Sequence, residues 1–265
     1  MPASAASRAT PDSAPHPAAS TPVVFVTWNV HGAVSRRAPF DAAAVADALA
    51  AMRADVIALQ ETSALEGDAG HDHVASIAAL LGMHAVFGAN LIGHGGRYRY
   101  GNAILSRWPV VDSANHDLSV MSAEPRGALV AQLETPGGLR FRAASLHFGL
   151  KLRERAAQAR QFVNAVVRGG DETPLIIGGD MNDWIRGADT RAMRAHLRDA
   201  ATQATYPAAF PVFRLDHVYV DGSVRIERCT RIRSRAVLDA SDHLPLVAHL
   251  HVSAGHALAR RREAR

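Results

Sequence analysis

The chain has 265 residues, of which 48% are hydrophobic and 20% charged, a composition that can bury a sizeable core and excludes wholesale disorder. A single cysteine, Cys229, excludes an internal disulfide and a zinc-finger scaffold, and no apolar run approaches the ~18 residues that cross a bilayer. The net charge is +4, but Arg260, Arg261, Arg262 and Arg265 against Glu263 place +3 of it in residues 253–265, so the body lacks the basic surplus of a phosphate-tracking nucleic-acid binder.

Residues 1–21 contain 17 Ala, Ser, Pro or Thr and no large aliphatic. They read as a disordered leader without the apolar core of a secretory signal, which points to a cytoplasmic protein. From residue 22 to 252 we expect one domain, monomeric, in which strands and helices alternate. Residues 22–29 are a β-branched apolar run, and 40–52 are an Ala-rich amphipathic helix opened by Asp41. A strand at 55–61 is followed by a helix at 71–82 that ends in Gly82, then by the run 83–88 and a strand at 101–110 ended by Pro109. Strands at 126–135 and 139–148 flank Pro136, Gly137 and Gly138, the spacing of a hairpin. The longest helix spans 152–168, a buried strand 173–182 runs into a Gly-Gly turn, and a helical piece covers 187–198. Three further strands lie in 212–220, 223–234 and 244–252. Many strands, few helices and a hairpin argue for a mixed two-sheet sandwich with helices outside, not an all-parallel doubly wound sheet.

The chemistry sits where the apolar runs stop: Asn29, Gln60 with Glu61, His147, Asp180 with Asn182, Asp216 with His217, and Asp242 with His243. Any one is an ordinary strand-end or turn residue. If the strands lie side by side, six such endings converge on one rim, where loops carry function on a rigid scaffold. In GGDMND, Asp180 and Asn182 are two residues apart in extended chain and point to the same side, offering a carboxylate to take a proton from water and an amide for a phosphoryl oxygen. Asp216 stands among apolar neighbours and needs a partner. We pair it with His243, whose tautomer it would set; a salt bridge to Arg214 or Arg126 is the alternative. Four carboxylates, Glu61, Asp180, Asp216 and Asp242, would repel a phosphate unless a divalent cation is bound, and an all-oxygen set selects Mg²⁺ or Mn²⁺ over zinc.

His71, Asp72 and His73 read as a helix N-terminus, because the further Asp-His of a binuclear hydrolase is missing. Arg231, Arg233 and Arg235 alternate along one strand, as a charge-guarded edge or, alternatively, as a backbone-tracking face. The tail 253–265 reads as a solvated end, with peripheral contact to an anionic membrane as the other possibility.

Seven segments, TWNVHG (27–32), DVIALQE (55–61), GNAILSR (101–107), SLHFG (145–149), GGDMND (178–183), RLDHVYV (214–220) and SDHLPLVA (241–248), together resemble the endonuclease/exonuclease/phosphatase superfamily. The resemblance implies an α+β fold, a four-layered αββα sandwich of two mixed sheets flanked by helices, with a metal-dependent site at one rim. It implies Glu61 as principal ligand of Mg²⁺ or Mn²⁺, with Asn29 and Asp242 in or near the metal shell. Asp180 is similar to the residue that activates water and Asn182 to the amide at the phosphoryl group. His243 with Asp216 resembles the pair at the scissile phosphate, His147 a second phosphate-binding imidazole, and Asn102 and Arg126 substrate-binding residues. The chain is similar to compact bacterial members of unassigned substrate, which implies a phosphodiester in a lipid head group or a nucleic acid. A DNA nuclease is the alternative within the superfamily; a non-catalytic phospholipid- or nucleic-acid-binding module is the alternative outside it.

Overall fold

A computed structural model describes residues 20–31, 41–65, 72–92, 98–120, 123–185 and 187–254. The leader to residue 19, His71 and the tail from residue 255 lie outside these residues. In chain order the elements are β1 (Ser20–Asn29), α1 (Ala42–Ala50), β2 (Val56–Leu65), α2 (His73–Leu81), β3 (His84–Ile92), β4 (Tyr98–Ser106), β5 (Val110–Asp117), β6 (Gly127–Glu134) and β7 (Arg140–His147). There follow α3 (Leu152–Phe162), continued by a π-helical turn (Val163–Arg168), β8 (Leu175–Asp180), α4 (Ala188–Arg194), β9 (Arg198–Asp199), β10 (Asp216–Val220), β11 (Val224–Arg231), α5 (Arg235–Ala240) and β12 (Leu246–Ser253).

Local chemistry accounts for the element ends. Asp41 accepts from the Ala44 amide at 3.0 Å and Asp72 from the Ala75 amide at 2.8 Å, capping α1 and α2. Gly82, at φ 63°, closes α2 in the left-handed region. The expected hairpin joins β6 to β7, with Glu134 opposite Arg140 and Gly138 at φ 78° in its turn.

Twelve strands form two mixed six-stranded sheets, ordered β11-β12-β1-β2-β4-β3 and β5-β6-β7-β8-β10-β9. Among the described residues, only β1–β2 and β7–β8 are parallel pairs, each spanned by a helical crossover. Both faces of the central strands are apolar because each sheet is covered on both sides. Phe25, Val56, Ala58 and Ile104 meet Leu129, Phe141, Ile176 and Val218 between the sheets. The alternating residues Val26, Trp28, Ile57 and Leu59 pack outward under Leu49, Ile77 and Val237 of α1, α2 and α5. On the far side, Ala144, Leu146, Ile177 and Tyr219 meet Phe162, Val166 and Met193 of the α3–α4 layer. The four layers are therefore helix, sheet, sheet, helix, as expected.

Three strand readings need correction: the Gly-Gly pair is no turn, since Gly178 and Gly179 lie inside β8 and the left-handed residue that follows is Asn182. Pro109 does not end a strand at 110: β4 stops at Ser106, and Pro109 precedes the separate edge strand β5, whose mostly exposed VVDSANHD lacks an alternating signal. The run 223–234 stops at Arg231, and Arg235 opens α5 after the Ser234 cap, so the three arginines do not share one strand face. Arg231 and Arg233 donate instead to the Ala204 and Ala209 carbonyls, and Arg235 pairs with Asp239.

The sheets approach closely where Gly178 of β8 faces β1. A side chain at Gly178 would lie 2.6 Å from Thr27 Cβ and 2.7 Å from the Phe25 ring. Gly178→Ala is expected to destabilise the protein by about 1–3 kcal/mol through overpacking, read as a lower urea midpoint at unchanged slope. An unaltered midpoint would mean that the sheets can separate there at no cost.

Candidate active site

The two parallel pairs end at the same rim. Asn29 lies opposite Gln60, and His147 opposite Asp180. β10 runs antiparallel to β8 and begins there, with Asp216 opposite Asp180. β12 runs antiparallel to β1, so Asp242 and His243, just before it, cover the same end. At this rim the backbone is strained: His31, Glu61 and Asn182 have φ of 48°, 56° and 47°, conformations that cost non-glycine residues on the order of 1–3 kcal/mol each. Glu61 occupies a bulge where the β2–β4 register shifts between Leu59 and Thr62. The bulge separates two adjacent polar side chains. Gln60 turns inward, fully buried, ties the sheets through Ser145 (2.9 Å) and also bonds Thr27 of its own sheet (3.2 Å), while Glu61 turns to the rim.

There one amide joins both halves of the site. Asn29 Nδ2 donates to Glu61 and to Asp180, each at 3.0 Å, and its Oδ1 accepts from the His31 amide. Tyr100 donates its hydroxyl to the other Glu61 oxygen at 2.7 Å. Asp180 also accepts from the Asn182 amide at 2.8 Å. The Asn182 side chain is fixed on both ends: Nδ2 donates to the Phe148 carbonyl (2.9 Å) and to His147 Nε2 (3.1 Å), and Oδ1 accepts from Trp184 (3.2 Å). The His147 ring therefore faces a donor at each nitrogen, Asn182 Nδ2 at Nε2 and Arg126 Nη1 at Nδ1 (3.4 Å), which disfavours its doubly protonated form. Asp216, fully buried, meets His243 Nδ1 at 2.9 Å, and His243 Nε2 stands 3.7 Å from Asp180. The alternative salt bridges for Asp216 are absent among the described residues, since Arg214 binds Asp199 and Arg126 binds Glu124.

These surroundings drive the titratable groups apart. Burial pushes Asp180 up to about 7, with Asp216 adding repulsion and His243 attraction. Burial alone would lower His243, but the carboxylates of Asp216, Asp180 and Asp242 outweigh it and raise the ring to about 10. His147 goes the other way, to about 3, through burial and the nearby Arg126 guanidinium. For Glu61 burial acts upward, and the His147 ring with the Asn29 and Tyr100 hydrogen bonds outweighs it, leaving the carboxyl below the ordinary range. The site thus sets a reluctant carboxylate beside a protonated imidazole, with a neutral imidazole opposite.

Two groups could hold a cation. Ligand atoms of Asp180, Asp216 and His243 lie within 4.8 Å of one another, but a protonated His243 bound to Asp216 has no lone pair to offer. Glu61 and Asp242 converge instead on the half-exposed His31, whose Nδ1 lies 3.4 and 3.9 Å from their oxygens, and Asp242 Oδ1 is buried without a hydrogen-bond partner. These hard oxygens, free of thiolate, fit Mg²⁺ or Mn²⁺. Arg126 and Asn102 stand at the flank: Arg126 Nη1 is 3.4 Å from His147 Nδ1, while Asn102 donates to the Gly127 carbonyl and leaves its buried Oδ1 unpartnered.

The sequence reading did not single out His31, Tyr100 or an aromatic wall. His31 directly follows the strand-end segment and carried a legible signal. Tyr100 reaches Glu61 across a β-ladder, and Trp184, Tyr206 and Phe213 meet only in three dimensions. Trp184 packs on Tyr206 and Phe213 with centroids 5.4 and 4.9 Å apart, and Tyr206 lies 4.8 Å from the His243 ring.

Residues 26–243 match the model of the Endonuclease/Exonuclease/phosphatase family. The Escherichia coli (strain K12) "Uncharacterized protein YbhP" is 30% identical over 247 residues, covering 86% of this chain and 95% of that one. Among solved structures, an endonuclease/exonuclease/phosphatase from Beutenbergia cavernae is similar with a TM-score of 0.72 at 23% identity, over 88% of this chain and 72% of that one. D. rerio TDP2 complexed with a single-strand DNA product is similar with a TM-score of 0.66 at 18% identity, over 87% and 99% of the two chains.

The charge assignment can be tested without any substrate. In the metal-free protein, histidine ring NMR is expected to show His243 titrating near 10 and His147 remaining neutral down to about pH 3. In Asp216→Asn the His243 transition should fall toward the ordinary value of about 6.5. A His243 that titrates equally in both proteins would remove Asp216 as its partner.

Proposed function

The chain belongs to the endonuclease/exonuclease/phosphatase family, whose members hydrolyse phosphoester bonds, and from that premise we propose a metal-dependent phosphodiesterase working at this rim. The observation that carries the reading is the placement of Asp180, a base with a raised pKa, 3.7 Å from the His243 imidazolium that Asp216 orients. A raised base beside a fixed acid is what hydrolysis requires and what mere binding does not. The non-catalytic alternative leaves that pair without a role.

In this mechanism Asp180 takes a proton from the attacking water. His243 holds its proton on Nε2, aimed at the anion, while Asp216 fixes the Nδ1–H. Asn182 gives its second N–H to either His147 or an arriving phosphoryl oxygen, so phosphate binding exchanges one acceptor for the other. Arg126 supplies positive charge beside His147, and Asn102 is kept as a flanking substrate contact. Asn29 holds Glu61 and Asp180 together from below. Glu61 and Asp242, with the Asn29 oxygen, would hold Mg²⁺ or Mn²⁺, which when bound neutralises phosphate charge and lowers the pKa of water. Orientation and fixed charge supply most of the acceleration.

Hydrolysis of bis(p-nitrophenyl) phosphate is expected to require Mg²⁺ or Mn²⁺ and to stop in chelator. Full activity after exhaustive chelation would refute the cation assignment. Glu61→Gln should lose activity that high Mg²⁺ partly restores, whereas Asp180→Asn should not be restored, because it lacks a proton acceptor. The opposite pattern would exchange the two roles.

Removing either member of the dyad disables one function. Asp216→Asn and His243→Ala should each lower kcat by on the order of 10² to 10⁴, and the double variant should be little worse than His243→Ala. Losses that multiply would place Asp216 in separate work.

A further inference from the structure

Three segments beside the candidate site carry an exposed apolar rim. Of the eleven large hydrophobic side chains exposed among the described residues, seven lie in the turn from β7 into α3, the turn after β8 and the stretch before β10. Such clustering is not scattered surface apolarity and marks an interaction site. Trp184 and Phe213 belong to the aromatic wall already described. Outside them stand Leu150, Leu152, Ile185, Phe210 and Val212, with Ile185 74% and Phe210 79% exposed.

The segments form one surface. A side chain at Gly187 would come within 2.4 Å of Leu152 Cδ1, so the first turn rests on the second. Trp184 against Phe213 joins the second to the third, and Tyr206 against His243 joins the third to the site.

Charge on this face is one-sided. The carboxylates of Glu154, Asp183, Asp189 and Asp216 are all buried, and Asp242, 36% exposed beside Ala208, belongs to the proposed cation site, whereas Lys151, Arg153 and Arg191 are exposed. Arg233, also exposed, reaches the Ala209 carbonyl next to Phe210. An apolar centre fringed by cations complements a surface with apolar interior and anionic headgroups. Nucleic acid fits less well, since of the five outer side chains only Phe210 offers a ring for bases to stack on, and the rings of Trp184, Tyr206 and Phe213 behind them are engaged edge-on with one another.

We propose that this rim docks the protein on an anionic phospholipid bilayer and seats the candidate site against the headgroup layer. Docking needs no turnover; that a headgroup phosphodiester is then cleaved rests on the hydrolase reading above.

The test is co-sedimentation of the full chain with vesicles of phosphatidylcholine containing phosphatidylglycerol. Wild type should bind, less tightly as salt is raised, and Ile185→Asp combined with Phe210→Asp should weaken binding about tenfold or more, with an unchanged thermal melting curve. No binding by wild type overturns the proposal, and equal binding by the double variant does so too by assigning attachment to the basic tail. Single-stranded DNA binding that the same substitutions abolish, without vesicle binding, would make the rim a nucleic-acid surface instead. A concentration-dependent dimer lost in the variant, again without vesicle binding, would make it a contact between copies. Cleavage of the soluble diester by a protein that ignores vesicles sinks docking alone, and docking without cleavage under any divalent cation sinks the hydrolase reading alone.

Discussion

The site depends on one side-chain amide. Asn29 donates both N–H groups of Nδ2, one to a carboxylate carried by its own sheet and one to a carboxylate carried by the other. Two buried carboxylates drawn to one point would otherwise repel each other and resist desolvation. With the amide between them, Glu61 stays readily ionised while Asp180 is held high, and the difference separates a charge-holding group from a proton-accepting one. The bulge at Glu61 and the left-handed turn at Asn182 are the backbone costs of this arrangement, and the inter-sheet bond of Gln60 to Ser145 helps hold the two edges in place to bear them.

Symmetry of construction explains why the groups meet. Each sheet contains one parallel pair spanned by a helix, β1–β2 and β7–β8, and both pairs terminate at the same rim. The antiparallel strands on either side begin there. Each strand therefore delivers its end residue to a common line, while its body is committed to packing on two faces. That separation of duties lets most of the core be apolar, and the buried polar side chains Gln60, Ser145 and Thr27 satisfy one another.

A second polar cluster lies under the site. His217, fully buried, contacts Asp199 at 3.1 Å, and Asp199 also binds Arg194 and Arg214, which carries its carboxyl down to about 2 against the upward push of burial. Asp183 accepts from Thr190 at 2.9 Å, which anchors the turn that holds Asn182. Asp216 and His217 divide between the rim and its support, as successive residues of a strand do, and Asn182 and Asp183 divide likewise across the left-handed turn.

Period and punctuation in the sequence determined the strand runs, the helix caps at Asp41 and Asp72, the hairpin at 136–138 and the line of polar endings, because these are local consequences of backbone geometry. The edge strand β5 and the helix α5 left no such mark: one is paired on a single edge and mostly exposed, the other is a six-residue turn set by what it packs against. Alternation along β2 already puts Gln60 on the inter-sheet face with Val56 and Ala58, whereas tertiary structure alone decided that Glu61, at a bulge the sequence does not mark, meets Asn29 and Tyr100 at the rim. It alone decided that His147 is neutral and His243 charged, although both are histidines beside strand ends, because the charge of an imidazole follows from the carboxylates and guanidinium that folding brings around it.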